Sequence, residues 1–170
     1  MIYLVSDTNF NHEKMVVDWK LRPTDYEEKI HKELKTLTSK DMLIHLGDIC
    51  IGKDTEMHKK YIAPIPSKKI LVKGNHDNKS TNWYLNNGWD FACERFINTY
   101  YGTKFIFNHR PLELTGDPET YVIHAHSHHL GINYRNLRPI SLEENNYKLT
   151  KLVNIAMAIK YCQLKAKVGI

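Results

Sequence analysis

The sequence lacks the cysteine pairs that mark a disulfide framework or a structural zinc site. Its only three cysteines, Cys50, Cys93 and Cys162, are far apart and odd in number. Neither class of site is therefore expected. Unpaired cysteines suit a reducing compartment, and we expect the protein to be cytoplasmic.

Long apolar runs are also missing. The apolar run at residues 1–5 reaches Asp7 almost at once and has no basic residues before it, unlike a signal peptide. No stretch approaches the roughly 18 apolar residues that a membrane-spanning helix needs. We therefore expect a soluble protein that has no membrane partner.

Internal repeats, low-complexity tracts and Gly/Ser linkers are absent as well, so the sequence indicates no domain boundary. With 170 residues, 42% hydrophobic and 25% charged, the chain has the size and balance of one globular domain, and we predict a single domain over residues 1–170. The formal net charge of +5 favours anionic partners such as phosphates or nucleic acid. A diffuse charge bias alone identifies no ligand.

Short apolar runs that each lead into Asp, Asn or His are what the sequence does contain. These runs are residues 1–5, 42–46, 70–72, 105–107 and 121–123. Runs of this length and composition are typical of buried strands. Helical patterns at residues 26–38 and 54–62 separate the first three runs, which predicts a β-α-β-α-β order and a largely parallel sheet.

The second half of the chain predicts a different structure. Residues 94–101 and 103–108 flank Gly102, which indicates a β-hairpin. The segment at residues 151–160 contains both good helix formers and the strand formers Val and Ile. We interpret that segment as a strand.

The polar residues at the strand ends form one candidate site, because parallel strands gather their carboxyl ends at one edge of a sheet. They are Asp7, Asp48, Asn75, His76, Asp77, His109, His126 and His128. Each of them alone is more often a helix cap or an ordinary hydrogen-bonded side chain. Together, carboxylate, amide and imidazole make a mixed ligand set for divalent transition metals.

The order of these motifs resembles that of the calcineurin-like metallophosphoesterases, whose motifs run D-x-H, G-D, G-N-H-D, a single H and G-H-x-H. Here the motifs are Asp7-Thr8-Asn9, Gly47-Asp48, Gly74-Asn75-His76-Asp77, His109 and Ala125-His126-Ser127-His128. They cover residues 7–128, and their context is similar to that of short stand-alone bacterial and phage members. The resemblance implies an α/β fold, a four-layer αββα sandwich of two mixed sheets flanked by helices.

The resemblance also implies two divalent metal ions, Mn or alternatively Fe, Ni or Zn. The implied metal ligands are Asp7, Asn9, Asp48, Asn75, His109, His126 and His128. Asp48 would bridge both ions, Asp7 and His128 would bind the first, and the remaining two histidines with Asn75 would bind the second. A hydroxide shared by the two ions would then attack a phosphodiester or phosphomonoester.

Two catalytic residues follow from the same resemblance. His76 would face the phosphate as an acid for the leaving group or as a charge stabiliser, and Asp77 would orient its ring.

Two positions depart from the family pattern. Ala125 replaces a usual Gly, which is a small change. Asn9 stands where His is usual, and a neutral amide is a poorer ligand for transition metals than imidazole. Three interpretations stay open: a weakened first metal site, an enzyme that works with one tightly bound ion, or a deliberate disabling of the site.

His12 and Arg110 are candidate substrate-binding residues. His12 follows Asn9 by three positions and is a candidate to contact the substrate or partly to replace the missing imidazole. Arg110 follows His109 and either binds a phosphate oxygen bidentately or forms only a surface ion pair.

The leading hypothesis is an enzyme, a metal-dependent phosphoric ester hydrolase acting on a small phosphate ester or a nucleotide. The alternative is a catalytically weak protein that binds a nucleotide or nucleic acid through a degraded metal site. A nuclease is less favoured because the sequence has no extended run of Lys and Arg with interleaved aromatic residues.

Overall fold

The structure is a computed structural model that describes residues 1–112, 117–126 and 136–168. In chain order its elements are β1 (Ile2–Val5), α1 (Glu13–Val17), α2 (Tyr26–Leu34), β2 (Met42–His45), α3 (Asp54–Met57) with a following π-helical segment (His58–Ile62), β3 (Lys68–Val72), α4 (Thr81–Asn86), β4 (Phe91–Cys93), β5 (Arg95–Tyr100), β6 (Thr103–Asn108), β7 (Thr120–His124), β8 (Leu137–Pro139), β9 (Thr150–Lys151) and α5 (Leu152–Val168). They form two mixed sheets flanked by helices, as predicted.

The first sheet has the strand order β4-β3-β2-β1-β9. β1 to β4 are parallel and β9 is antiparallel to β1, which confirms the predicted β-α-β-α-β order and largely parallel sheet. Val5 lies opposite His45, and His45 lies opposite Leu71. Because β1, β2 and β3 are in step, the loops that follow them leave the same edge of the sheet.

The second sheet has the order β5-β6-β7-β8. β5 and β6 are antiparallel and join through Tyr101 and Gly102, which confirms the predicted hairpin. β6, β7 and β8 are parallel, and Phe107 lies opposite Ile123. The loops after β6 and β7 therefore also leave one edge together, and the Ala125 amide donates to the His109 carbonyl over 2.8 Å.

Two apolar layers hold the sheets in place. Successive residues of a strand point to opposite faces of its sheet. Val5, Leu43 and Leu71 pack in a layer with Ile30 and Leu34 of α2 on the outer face of the first sheet. Their chain neighbours Leu4, Ile44 and Val72 pack in the layer between the sheets with Phe105, Phe107 and Ile123. Burying apolar surface on both faces makes the first sheet a rigid base for the loops at its edge.

The prediction of a strand at residues 151–160 is wrong. Only Thr150–Lys151 pair as a strand, and α5 begins at Leu152. Leu152, Ala156 and Ile159 recur at spacings of four and three, so a helix buries all three in the layer between the sheets. This burial outweighs the strand preference of Val and Ile. None of the helices in the described part of the chain combines the length and the hydropathy of a membrane span.

Candidate metal centre

Four strand ends bring four potential ligands together. Asp48 follows β2, Asn75 follows β3, His109 follows β6 and His126 follows β7. His109 Nε2 lies 3.2 Å from Asn75 Oδ1, 3.2 Å from His126 Nδ1 and 3.5 Å from Asp48 Oδ2. We call these four residues the ligand cluster. One ligand atom each from Asp48, His109 and His126 lies within 4.8 Å of the others.

The hydrogen bonding of His109 prepares its ring to bind a cation. Its Nδ1 lies 2.6 Å from the Leu46 carbonyl oxygen, so Nδ1 carries the proton and donates it to that bond. Nε2, the other ring nitrogen, can then offer a lone pair to a cation, and it faces two further acceptor atoms, Asn75 Oδ1 and Asp48 Oδ2. A divalent transition metal satisfies such a group of nitrogen and oxygen acceptors. The bond to Leu46 is the kind of outer partner that fixes a metal-binding histidine.

The loop after β1, residues 6–12, closes the other side of the site. Asp7 is 4% exposed, and its Oδ2 accepts a hydrogen bond of 3.2 Å from the His126 amide. Asn9 is also 4% exposed, and its Nδ2 donates to the Asp7 carbonyl oxygen over 3.2 Å. His128, the remaining predicted ligand, lies outside the described residues. We call the loop of residues 6–12, with Asp7 and Asn9, the Asp7 half.

The backbone is strained at four of the candidate ligands. Positive φ angles occur at Asp7 (47°), Asn9 (45°), Asp48 (57°) and His126 (70°). Residues other than glycine rarely adopt positive φ angles, and they keep them only where surrounding contacts hold the backbone in place. Here the Asp7 amide donates to the Gly47 carbonyl over 2.9 Å and the Asn9 amide donates to the Asp48 carbonyl over 3.0 Å. Strain of this kind concentrates at functional sites.

Two glycines allow the strand ends to approach each other. A Cβ atom at Gly47 would lie 2.6 Å from Gly74 Cα and 2.9 Å from His109 Nδ1. A Cβ atom at Gly74 would lie 2.6 Å from the Asp48 amide nitrogen. All three distances are shorter than Cβ contacts in proteins, so a side chain at either position would push the ligand loops apart.

The Asp77 carboxylate binds main-chain amides of two loops, and its predicted role of orienting the His76 ring stays a prediction. This carboxylate is 5% exposed and accepts main-chain hydrogen bonds from Asp48 (2.7 Å), Gly74 (2.8 Å) and Ile49 (3.2 Å). Burial raises the pKa of Asp77, while these amide donors act in the opposite direction. The side chain therefore joins the loop after β3 to the loop that carries Asp48.

His76 lies at the solvent edge of the ligand cluster. Its amide donates to Asp48 Oδ1 over 2.9 Å, and its ring Nε2 lies 4.0 Å from Asp48 Oδ2. The His76 side chain is 51% exposed. A molecule approaching the cluster from solvent would meet this ring, which is compatible with the predicted role.

The two predicted substrate-binding residues lie in different places. An Arg110 guanidinium nitrogen is 3.5 Å from Asn75 Oδ1, so this exposed side chain stands at the rim of the ligand cluster. The His12 ring packs edge-on against Trp19 with 5.2 Å between ring centroids. The His12 amide donates to the Asn9 carbonyl over 3.2 Å, which places His12 at the far end of the Asp7 half.

Sequence analysis missed two residues that support the Asp7 half from behind. Arg22 is 3% exposed and donates to the carbonyl oxygens of Asp7 (2.7 Å) and Thr8 (2.9 Å). The Tyr26 hydroxyl donates to the Asn9 carbonyl over 2.7 Å. Each carbonyl of residues 7–9 is thus bonded to a buried side chain. These contacts cross 14 to 17 residues of chain, and no periodicity in that stretch reveals them.

His45 connects the loop that carries Asp48 to the Asp7 half. Its Nδ1 accepts from the Gly47 amide over 3.1 Å, and its Nε2 lies 3.0 Å from Thr8 Oγ1. The Thr8 hydroxyl donates to the Ile49 carbonyl over 2.8 Å, so Nε2 must be the donor to Thr8. Burial lowers the pKa of His45 to about 3, which keeps the ring neutral.

Comparison with known protein families gives a match over most of the chain. The family profile described as calcineurin-like phosphoesterase matches residues 2–158. A curated relative called uncharacterized protein MJ1445, from Methanocaldococcus jannaschii, is 29% identical over 174 residues, which span 94% of this chain and 91% of that protein.

Two solved structures are also similar. A protein of unknown function, AQ665 from Aquifex aeolicus, has a TM-score of 0.70 and 25% identity, with 93% of this chain and 98% of that chain covered. The phosphoesterase YfcE from E. coli has a TM-score of 0.50 and 10% identity, covering 82% of this chain and 77% of its own, and this likeness concerns the fold alone.

Proposed function

The chain belongs to the calcineurin-like phosphoesterase family, and from that premise we propose that it is a metal-dependent phosphoric ester hydrolase. The observation that carries the proposal is the ligand cluster. Asp48, Asn75, His109 and His126 come from four separate strand ends, and one atom of each of the other three lies 3.2–3.5 Å from His109 Nε2. Such a group has no packing purpose, since it gathers polar atoms that would otherwise be hydrated.

The donor set fits divalent transition metals. Imidazole nitrogen with carboxylate and amide oxygen suits Mn, Fe, Ni or Zn. We propose that one ion binds at the ligand cluster and a second between Asp48 and the Asp7 half, with Asp48 shared. Bound there, the ions would supply Lewis acidity, which lowers the pKa of a coordinated water molecule and neutralises charge on phosphoryl oxygens.

The residues around the cluster would prepare the substrate. Arg110 at the rim is positioned to bind a phosphate oxygen with its planar guanidinium group. His76 faces solvent beside Asp48 and would deliver a proton to the leaving group. Asp77 holds the Asp48 loop through main-chain amides and so fixes the carboxylate that both ions would share. The substrate is a small phosphodiester or phosphomonoester, nucleotides included.

Asn9 favours a second candidate function. Its Nδ2 donates to the Asp7 carbonyl oxygen, and the neutral Oδ1 that remains for a cation is a poorer ligand than imidazole, so a cation in the Asp7 half gains little from it. The second candidate is a catalytically weak protein that binds a nucleotide or nucleic acid through the same site. For either function we propose a cytoplasmic location, because all three cysteines are free.

The test is an ester assay with and without metal. Purified protein is supplied with Mn²⁺ and either bis-p-nitrophenyl phosphate or p-nitrophenyl phosphate, and p-nitrophenol is measured. We expect turnover of at least one ester, loss of activity with a chelator, and recovery when Mn²⁺ is added back. If neither ester is cut with Mn, Fe, Ni or Zn while a nucleotide binds in calorimetry, the second candidate replaces the first.

A further inference from the structure

A pocket of about 210 Å³ opens beside the ligand cluster. Its described lining residues are Cys50, Ile51, Gly52, Asp54, His76, Asn78 and Lys79. His76 connects the pocket to the metal centre, because its ring lines the pocket and also lies 4.0 Å from Asp48 Oδ2. A group attached to a phosphate at the metal centre would extend into this pocket.

The charged pair in the pocket keeps its hydrogen-bonding capacity. Lys79 Nζ lies 3.7 Å from Asp54 Oδ2, which is too long for a hydrogen bond between them. The two charges nearly cancel, yet the Asp54 carboxylate can still accept a hydrogen bond from a ligand and the Lys79 ammonium can still donate one. The Asn78 amide offers one group of each kind. A hydroxyl group, which both donates and accepts, matches this lining.

Other ligand chemistries fit the pocket less well. Among the described residues that line it, His76 carries the only ring, so a nucleobase or an aryl group has little surface to stack on. Because the charges of Asp54 and Lys79 nearly cancel, the pocket offers a second phosphate group no net electrostatic attraction.

The size of the pocket limits what it can hold. At roughly 30 Å³ for each water molecule, it has room for about seven. That is less than the usual site for a drug-sized ligand and suits one small substituent of a larger substrate.

We propose that this pocket binds a small hydroxyl-bearing group of the ester, a sugar or a polyol, and that Asp54 and Lys79 select such substrates. Asp54 accepts a hydrogen bond from one hydroxyl and Lys79 donates to a neighbouring one. This inference rests on the proposed function, because it presupposes that the adjacent metal centre cleaves a phosphate ester.

The experiment compares esters with and without hydroxyl groups. Wild type, Asp54→Asn, Lys79→Met and the control Glu56→Gln are assayed with Mn²⁺ on p-nitrophenyl phosphate and ribose 5-phosphate. The same four proteins are assayed on bis-p-nitrophenyl phosphate and glycerophosphoglycerol, so that both ester types are covered. Glu56 is an exposed carboxylate of the same helix as Asp54 and does not line the pocket.

We expect both pocket variants to lower kcat/KM on the hydroxylated esters by roughly ten-fold or more, because each removes a hydrogen bond to a charged group. On the nitrophenyl esters they should stay within about two-fold of wild type, since those leaving groups carry no hydroxyl to bind. Glu56→Gln should leave all rates unchanged. Melting temperatures of every variant identify a folding defect. Asp54 begins α3 and Lys79 lies in the loop before α4, so one local defect would not affect both variants.

Equal losses on both kinds of ester, or no loss on the hydroxylated esters, would overturn the inference and leave the proposed function intact. A wild type that cleaves only the nitrophenyl esters overturns it as well. A wild type that cleaves none of the esters contradicts the proposed function, and the inference fails with it.

Discussion

The two parts of the candidate metal centre differ in the ligands that they offer a cation. The ligand cluster has four side chains from four strand ends, two of them imidazoles. Within the described residues, the Asp7 half contributes one carboxylate and the Asn9 amide, whose neutral Oδ1 is a poorer ligand than imidazole and whose Nδ2 donates to a carbonyl oxygen. We therefore expect the ligand cluster to bind its ion more tightly than the Asp7 half.

Backbone geometry does not explain this difference. Both parts contain residues with positive φ, and both are held from behind by buried hydrogen bonds. The main chain of the weaker part is thus held by hydrogen bonds as that of the stronger part is. Asn9 is the side chain of the Asp7 half that departs from the expected ligand type, so its share of the difference can be tested by substitution.

The largest effect is expected from Asp48→Asn, because Asp48 is the ligand that both parts would share. Loss of an outer hydrogen-bonding partner typically lowers metal affinity or activity by about 10- to 100-fold, and loss of a direct ligand costs more. We expect Mn²⁺-dependent hydrolysis to fall by more than about 100-fold. Asp25→Asn, which changes an exposed carboxylate paired with Lys29, is the matched control. A fully active Asp48→Asn protein would refute the bridging role.

Arg22→Met should affect the Asp7 half, because the hydrogen bonds of Arg22 described above are to the main chain of that loop. It removes a buried cation that bonds to the carbonyls of Asp7 and Thr8 and pairs with Glu143 at 2.7 Å. Breaking a buried ion pair by removing one partner typically costs about 3–5 kcal/mol, and we expect the free energy of unfolding in urea to fall by about 3 kcal/mol. Lys29→Met, at an exposed pair, should change it by less than about 1 kcal/mol. Equal values for the two variants would show that Arg22 does not support the loop.

The connection between the two parts through His45 should depend on pH. Burial lowers the pKa of His45 from 6.5 to about 3. Between these values the unfolded chain binds a proton that the folded chain does not, so stability falls as pH drops below 6.5 towards 3. At pH 5 the loss from this residue is about 2 kcal/mol relative to neutral pH.

His45→Gln should remove that component. Urea unfolding at pH 7 and pH 5 would then show a smaller change than in wild type. A residual change is expected, because burial also lowers the pKa of His58 and His124. If wild type and variant lose the same free energy between the two pH values, His45 is not the main source of the dependence.

The smallest effect is expected from Asn9→His, which should make the two parts more alike. An imidazole at position 9 is a better ligand than an amide, so we expect hydrolysis with Mn²⁺ to rise roughly three- to ten-fold. Asn11→His is the control, since Asn11 lies in the same loop and also has a positive φ, of 64°. Equal rates for wild type and Asn9→His would mean that position 9 contributes little to the site.

The strand ends could be predicted because their signals are local. An apolar run followed at once by Asp48 or His109 is visible in the chain, and parallel pairing brings such ends to one edge. The hairpin was predictable for the same reason, from Gly102 between two strand-like runs. His128 stays a prediction, because it lies outside the described residues.

The supporting contacts could not be predicted because they depend on packing in three dimensions. Asp77 bonds to amides of the preceding loop, and Arg22 bonds to carbonyls in irregular chain. Neither contact produces a periodic residue pattern in the sequence. The prediction of a strand at residues 151–160 failed for a different reason. Local composition favoured a strand, whereas burial of Leu152, Ala156 and Ile159 between the sheets required a helix.

The most direct test of the account is to count the metal ions that the protein retains. Wild type and His109→Ala are loaded with Mn²⁺, separated from free metal by gel filtration and analysed by mass spectrometry for metal content. The ligand cluster predicts that wild type keeps at least one Mn²⁺ per chain and that His109→Ala, still folded by circular dichroism, loses it. Wild type that keeps no metal, or a variant that keeps as much as wild type, would contradict the claim that these strand ends bind a cation.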